Sequence, residues 1–582
     1  MRIMKKVNIY VLASCALFLT ACGGMNKMAK MANSVQWEVN PKVLEMHGDS
    51  VEVEIKVTFP PKYFQKAAIL ELTPVLKYDG GEKAFKSKAV QGESVQDNNE
   101  VCTFANGGTF TTKSKIAFEE AMRSSELIAR VKATMKGKSI DLPEQKIADG
   151  VMSTALLLDY KAMTIGAADK FQRVTNDSKG ATLFFVINKA DIQNKELKKD
   201  EVAALKQFLA DAANNERIEV KGVEISAFAS PDGEESLNDK LAANRMKNSD
   251  SFFKKELKKA KLNADASVYK TTSLAEDWDG FKTLMHESDI QDKELILRVL
   301  SMYSDPVVRE KEIKNISAAY VEIADKILPQ LRRSKLSVNI AVIGHSDEEL
   351  KAMVAANDEK LTIEEMLYTA TLTEDNNEKL SIYQKAADKF PEDWRAINNV
   401  GHISYKLGKV AEAKAAFEKA KSIDASNTVV LNNLGACALA DGDVAAAKEF
   451  FSAAAGAGDE VSYNQAIILT KNGDYESALN LYQSSKLNTF NWALCKYLNY
   501  FNTKNGDVFD ATLGILNKIE DQNDAKISYL KAVIGARKQD KDLMINSLKV
   551  AVDKDASFGA YAAKDIEFAQ YAQDDDFKNI AK

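Results

Sequence analysis

Apolar residues follow three different rhythms along this chain. Between residues 36 and 150 they alternate. Ser50-Val51-Glu52-Val53-Glu54-Ile55-Lys56-Val57 puts Val51, Val53, Ile55 and Val57 on one face of a strand, and Pro60-Pro61 ends it. Ala68–Lys77 and Glu126–Lys136 read as further strands. Turns fall at Asp79-Gly80-Gly81 and Asn106-Gly107-Gly108. Short strands at this spacing predict a β-sandwich. Between residues 175 and 345 strands and helices mix. An apolar strand at 181–187 precedes a helix, Lys199–Ala213, with Val202, Leu205, Phe208 and Leu209 on one face. A strand at Val220–Ala229, a long charged helix at Leu237–Leu262 and a strand near Ala266–Thr272 complete a β-α-β-α-β order, which predicts an α/β module. From about residue 360 the rhythm is helical and repeats itself. Gly401, Gly408, Ala413, Phe417 and Ala420 recur 34 residues later as Gly435, Gly442, Ala447, Phe451 and Ala454. Such a period predicts stacked helix pairs, an all-α solenoid.

The first residues carry a different signal. Arg2, Lys5 and Lys6 precede an apolar run from Ile9 to Ala21, too short to span a bilayer but suited to a signal peptide over residues 1–21. The run ends in Leu19-Thr20-Ala21-Cys22, which resembles the lipobox of bacterial lipoproteins. That resemblance implies a lipid on Cys22 and cleavage before it. Residues 22–35, small, polar and Met-rich, read as the lipidated Cys and a flexible tether. Glycines at 23 and 24, with no acidic run after them, imply by the same resemblance the periplasmic face of the outer membrane. Elsewhere no apolar run reaches about 18 residues, so no transmembrane helix is expected.

In the central module, Phe185-Val186-Ile187-Asn188-Lys189-Ala190 and Phe228-Ala229-Ser230-Pro231-Asp232-Gly233, followed by Asn238, Leu241 and Arg245, resemble the OmpA-like peptidoglycan-binding domain. Trp278 and Pro329-Gln330-Leu331-Arg332-Arg333-Ser334 fit a divergent branch of it. In that family an Asp and an Arg clamp the diaminopimelate of the peptidoglycan stem peptide. An arginine fork suits a carboxylate and an aspartate suits an ammonium. Arg245 takes the arginine position. The acid position falls on Ser230, and Asp232 stands two residues later. A retained clamp through Arg245 and Asp232 is one reading. A retained fold with lost binding is the other, and a carboxylate displaced by two residues favours it. Pro231 and Gly233 also have a plain role in building a turn.

The 34-residue pattern resembles the tetratricopeptide repeat (TPR). Gly401 and Gly435 permit close helix approach, Phe417 and Phe451 fill the space between repeats, and Gly408 and Gly442 end helices in a left-handed conformation. Tyr383, Ala386 and Pro391 mark an earlier unit. Gly473, Tyr475, Ala478 and Tyr482 mark a later one, and about five helix pairs with a polar cap fill 360–582. Stacked repeats form a concave groove that takes peptides or partner domains. Asn398, Asn399, Asn432 and Asn433 are the groove candidates. By family resemblance they would bond a ligand backbone; equally, Asn399 and Asn433 could cap or bridge helices.

Composition narrows the function. The net charge is -6, with cations and anions interspersed, so nucleic acid is not an expected partner. His47, His286, His345 and His402 stand at no metal spacing, and no metal or cofactor is expected. Cys102, Cys437 and Cys495 read as buried small residues. There is no G-x-S-x-G, no H-E-x-x-H and no Cys-His pair in a plausible setting, so no catalytic residue is assigned and an enzyme is not expected. The pattern points to a non-catalytic envelope lipoprotein whose repeats bind a protein or peptide. The alternative is a peptidoglycan tether acting through the α/β module.

Overall fold

The computed structural model describes residues 23–582 apart from 263 and 316. The signal peptide and Cys22 lie outside the described residues. The chain divides into two compact units. One joins residues up to Ala168 with Glu374–Lys582, and the other is Asp169–Thr373.

In the first unit the alternating region forms β1 (Gln36–Asn40), β2 (Val43–His47), β3 (Ser50–Phe59), β4 (Ala68–Tyr78), β5 (Gly81–Ala84), β6 (Lys88–Gly92), β7 (Glu100–Cys102), β8 (Gly108–Ala117), β9 (Ser125–Met135), β10 (Lys138–Asp141) and β11 (Gln145–Met152). Alternation works as expected: Val51, Val53, Ile55, Val57 and Phe59 of β3 are buried. The sandwich, expected as two sheets, is instead one β-rich sheet of eleven strands. β2 joins the two halves, pairing antiparallel with β3 and parallel with β11. The sheet folds over so that Val57 and Phe59 of β3 share a core with Leu70 and Leu72 of β4 and Val131 and Ala133 of β9. A pattern of alternation cannot report which edges hydrogen-bond, so the continuity was not legible.

The expected tether is corrected here. Residues 23–30 are helical. Met25 and Met28, three apart, fall on one helical face and are fully buried in the same core as Tyr63, Phe64 and Met135. Methionine is flexible enough to fill irregular gaps in a core, which explains a Met-rich, apparently patternless stretch.

The rest of the first unit is helical. Asn376–Lys389 is followed by the pairs Trp394–Lys406 with Val410–Ile423, Thr428–Ala440 with Val444–Ala453, Asp459–Lys471 with Tyr475–Ser485, Phe490–Thr503 with Asp507–Leu516, and Ala525–Lys538 with Lys541–Lys554. Shorter turns, Ser557–Ala563, Ile566–Tyr571 and Asp575–Ile580, close the array. The repeat glycines work as read: a Cβ on Gly401 would stand 2.6 Å from the Phe417 ring, and one on Gly435 2.6 Å from the Phe451 ring. Gly408 and Gly442 have φ of 77° and 81°. Cys102, Cys437 and Cys495 are buried free thiols, and burial pushes each up to about 12.

In the second unit β12 (Val174–Phe184), β13 (Ile218–Phe228), β14 (Tyr269–Leu274) and β15 (Arg333–Ile343) form a sheet in the order β12-β15-β13-β14. Helices Asp200–Ala213 and Glu235–Lys259 pack on it through Leu205, Leu209, Phe253 and Leu257. The α/β order is as expected, with one addition. β15 inserts between β12 and β13, antiparallel to both, after a helical excursion with its own core of Phe281, Met285, Ile296 and Leu328. Helix Ile363–Thr371, read as the start of the repeats, belongs to this unit.

Candidate functional site

After a short turn at Thr154–Leu157, the segment between β11 and the second unit runs extended along the groove of the helical array. Its backbone is held by asparagines from the first helices of successive pairs. Asn399 accepts from the Ala167 N–H at 2.7 Å and donates to the Ala167 carbonyl at 2.9 Å. Asn433 does the same to Ile165 at 2.7 and 2.8 Å, and Asn464 to Met163 at 2.7 and 2.8 Å. Asn491 holds Asp159 at 2.9 and 2.7 Å. From Asn399 to Asn464 one helix pair therefore reads two residues of extended chain, a step of about 6.6–6.8 Å, whereas Asn491 takes hold four residues before Met163. A carboxamide presents its oxygen and one N–H side by side to a residue's N–H and carbonyl, as a neighbouring β-strand would, and keeps a second N–H for another acceptor.

The predicted residues all enter this ladder. Asn398 and Asn432 sit one position before the bidentate asparagines and reinforce the carbonyls of Ile165 and Met163, both at 3.1 Å. They also tie the rungs together: Asn433 donates to Asn398 and Asn464 to Asn432, each at 2.9 Å. The two readings offered for these side chains, backbone recognition and helix bridging, are thus both present. Although they line the groove, Asn398, Asn432 and Asn433 are completely buried and Asn399 is 2% exposed, because the segment covers them. Asn464 and Asn491 were missed. Asn464 was findable: like Asn399 and Asn433, it is the sixth residue of its helix. Asn491 is the second residue of its helix, which no repeat alignment would match.

Side chains set the register. Ala162 and Thr164 point inward and are 3% and 9% exposed. The Thr164 hydroxyl lies 2.8 Å from His402 Nδ1. A Cβ on Gly166 would meet the same His402 ring at 3.3 Å. Burial, with Lys406 and Lys379 nearby, lowers the imidazole to about 4, so His402 is neutral around pH 7.

Before the groove, the start of the segment and the β-region that precedes it are fastened to the last helix pairs and the C-terminal turns. Glu567, fully buried, accepts from Thr154 at 2.9 Å, Tyr497 at 2.7 Å and Arg537 at 2.6 Å. Arg123 donates to the Tyr561 carbonyl at 3.1 Å, with its guanidinium 3.3 Å from the Tyr561 ring centroid. Lys504 reaches Glu45 at 3.1 Å.

The second candidate site does not assemble as read. Arg245 is 1% exposed and turned to backbone carbonyls, donating to Phe228 at 2.9 Å and Lys189 at 3.1 Å. Asp232 pairs instead with Arg332 at 3.2 Å and accepts from Ser230. Arg332 Nε also donates to the Ser230 hydroxyl at 3.1 Å. Arg245 and Asp232 are thus each engaged within the protein, Arg245 by backbone carbonyls and Asp232 by the arginine of the 329–334 run. Asn238 supports the turn by donating to the Ser230 and Gly233 carbonyls at 3.1 and 3.0 Å. Burial and Arg332 lower the Arg245 guanidinium to about 10. Among the described residues no group of His, Cys, Asp and Glu is arranged to hold a metal, and no helix is long and apolar enough to cross a membrane.

Residues 395–427 match the tetratricopeptide repeat family, so the helical array contains a tetratricopeptide repeat domain, a class of protein–protein interaction scaffold. Solved structures with similar repeats include Pseudomonas aeruginosa pilF, 15% identical over 39% of this chain and 96% of that one, with a TM-score of 0.28. A tetratricopeptide repeat protein from Parabacteroides merdae is 15% identical over 44% and 98%, with a TM-score of 0.29. YrrB, described as a TPR protein with an unusual peptide-binding site, is 18% identical over 38% and 100%, with a TM-score of 0.21. No curated protein is significantly similar to the chain.

Proposed function

We propose that this chain is a non-catalytic lipoprotein scaffold of the bacterial envelope whose repeat groove binds extended peptide backbone. The observation that carries the reading is the ladder of Asn399, Asn433 and Asn464 on alternate residues of 163–167. The groove is a receptor for extended chain, and its resident ligand is the chain's own linker. The anchor is Cys22, at the outer membrane and facing the periplasm. Because helix 23–30 is packed into the β-core, almost no slack separates such a lipid from the folded domain, and the β-region would lie close to the bilayer. Hydrogen exchange on the intact protein tests the groove. The amides of Met163, Ile165 and Ala167 are expected to be strongly protected; exchange at the rate of a free peptide would end this reading. Mass analysis of Cys22 from purified envelopes tests the anchor separately.

Binding of peptidoglycan through an OmpA-like second unit is the weaker reading. Arg245 is engaged by carbonyls and Asp232 by Arg332, so a stem peptide would have to break a 3.2 Å ion pair to be clamped. Sedimentation with purified sacculi is the direct check, and Asp232→Ala should leave any binding unchanged if the acid serves only Arg332.

A further inference from the structure

The first unit is built from two stretches of chain, residues 23–168 and 374–582, whose only covalent connection runs through the second unit. Among the described residues the contacts that join these halves are noncovalent, and they include the asparagine ladder, the Glu567 cluster, Arg123 on Tyr561 and Lys504 on Glu45. None of these contacts requires that both halves come from one molecule.

The interface is also selective. Ladder bonds recognise backbone and would accept many sequences. The inward positions are stricter: Ala162 is enclosed, Thr164 meets His402, and Gly166 lies where a Cβ would press on His402. A one-residue slip would point Lys161, Met163 and Ile165 at that wall instead. The groove thus fits a small residue, a threonine and a glycine at alternate positions, and residues 162–166 of this chain supply them.

We infer that the two halves can pair between copies: residues 23–168 of one molecule seat on residues 374–582 of a second, giving a reciprocally exchanged dimer. This rests on the groove reading above. Exchange of identical elements re-forms the same contacts, so it costs little beyond association. The closed monomer wins in dilute solution because its halves are tethered, which makes their pairing intramolecular. Copies anchored by lipid in one membrane would be concentrated enough to compete.

Complementation of two full-length variants tests this. In one, Met163→Pro and Ile165→Pro remove the N–H groups that Asn464 and Asn433 accept. In the other, Asn399→Leu, Asn433→Leu and Asn464→Leu disable the groove. Refolded together and separated by size with mass detection, they are expected to form a 1:1 heterodimer in which residues 159–167 of the groove variant regain amide protection. A mixture that stays monomeric, with that segment unprotected, overturns the inference. If the triple variant does not fold, Asn433→Ala with His402→Ala takes its place. Protection of 163–167 in the unaltered protein, with no heterodimer, sinks the exchange and leaves the groove reading standing; loss of protection there sinks both.

Discussion

Asn433 makes bonds to the Ile165 N–H, the Ile165 carbonyl and Asn398, all inside a covered groove. Asn433→Ala leaves the Ile165 N–H and the Asn398 carboxamide oxygen buried without partners, at about 1–3 kcal/mol for each unsatisfied group, while the Ile165 carbonyl keeps its bond from Asn398. The expected outcome is local release of the linker, read as faster exchange at Ile165 and new protease cuts between 160 and 168. His402 adds a pH dependence. Its ordinary value is 6.5 and its folded value about 4, because burial opposes the charged ring. A depressed folded value means that the stabilisation is complete above pH 6.5 and is lost as pH falls from 6.5 toward 4. Thermal unfolding between pH 7 and 4 should show this loss, and His402→Gln should flatten that part of the profile. At this scale the asparagines were visible in the sequence as repeat-matched polar residues. Their ligand was not, since Asp159–Ala167 has no period and lies more than 230 residues from Asn399 in sequence.

The repeat glycines and phenylalanines decide how the helices pack. Gly435→Ala would place a methyl 2.6 Å from the Phe451 ring, and overpacking of this kind costs about 1–3 kcal/mol. A lowered melting temperature is expected, with partial recovery on adding Phe451→Leu, which vacates the space. These residues were legible because the repeat spells them out 34 residues apart. Helix 23–30 was not legible. Two methionines three residues apart are too short a pattern to distinguish a helix face from a polar tether, and only burial against Tyr63, Phe64 and Met135 of the β-core makes them apolar anchors. Met28→Asp is expected to unseat this helix, exposing Gly24–Lys30 to protease and lowering the melting temperature.

Across the molecule, Glu567 is the residue on which the β-region and the last repeats converge. Glu567→Ala removes the acceptor of Thr154, Tyr497 and Arg537 and strands the arginine in a buried place, where loss of a charge partner costs about 3–5 kcal/mol. The single calorimetric transition expected for the first unit should then split, the β-region and the repeats melting apart. A single transition, merely shifted, would show that the remaining contacts, the Asn ladder with Arg123 on Tyr561 and Lys504 on Glu45, couple the halves without Glu567.

The sequence by itself determined the three rhythms and therefore the kinds of element: alternating strands, a mixed α/β module and tetratricopeptide helices with their glycines, phenylalanines and groove asparagines. These are local or periodic properties, set by which side of a strand or helix must leave water. Only the tertiary structure decided that β2 makes one sheet of two, that Asp232 answers to Arg332 rather than Arg245, and that the groove already holds a strand of its own chain. Each of these depends on bringing together residues far apart in sequence. Hydrogen bonds from an asparagine to a peptide backbone leave almost no trace in the side chains of the segment they hold.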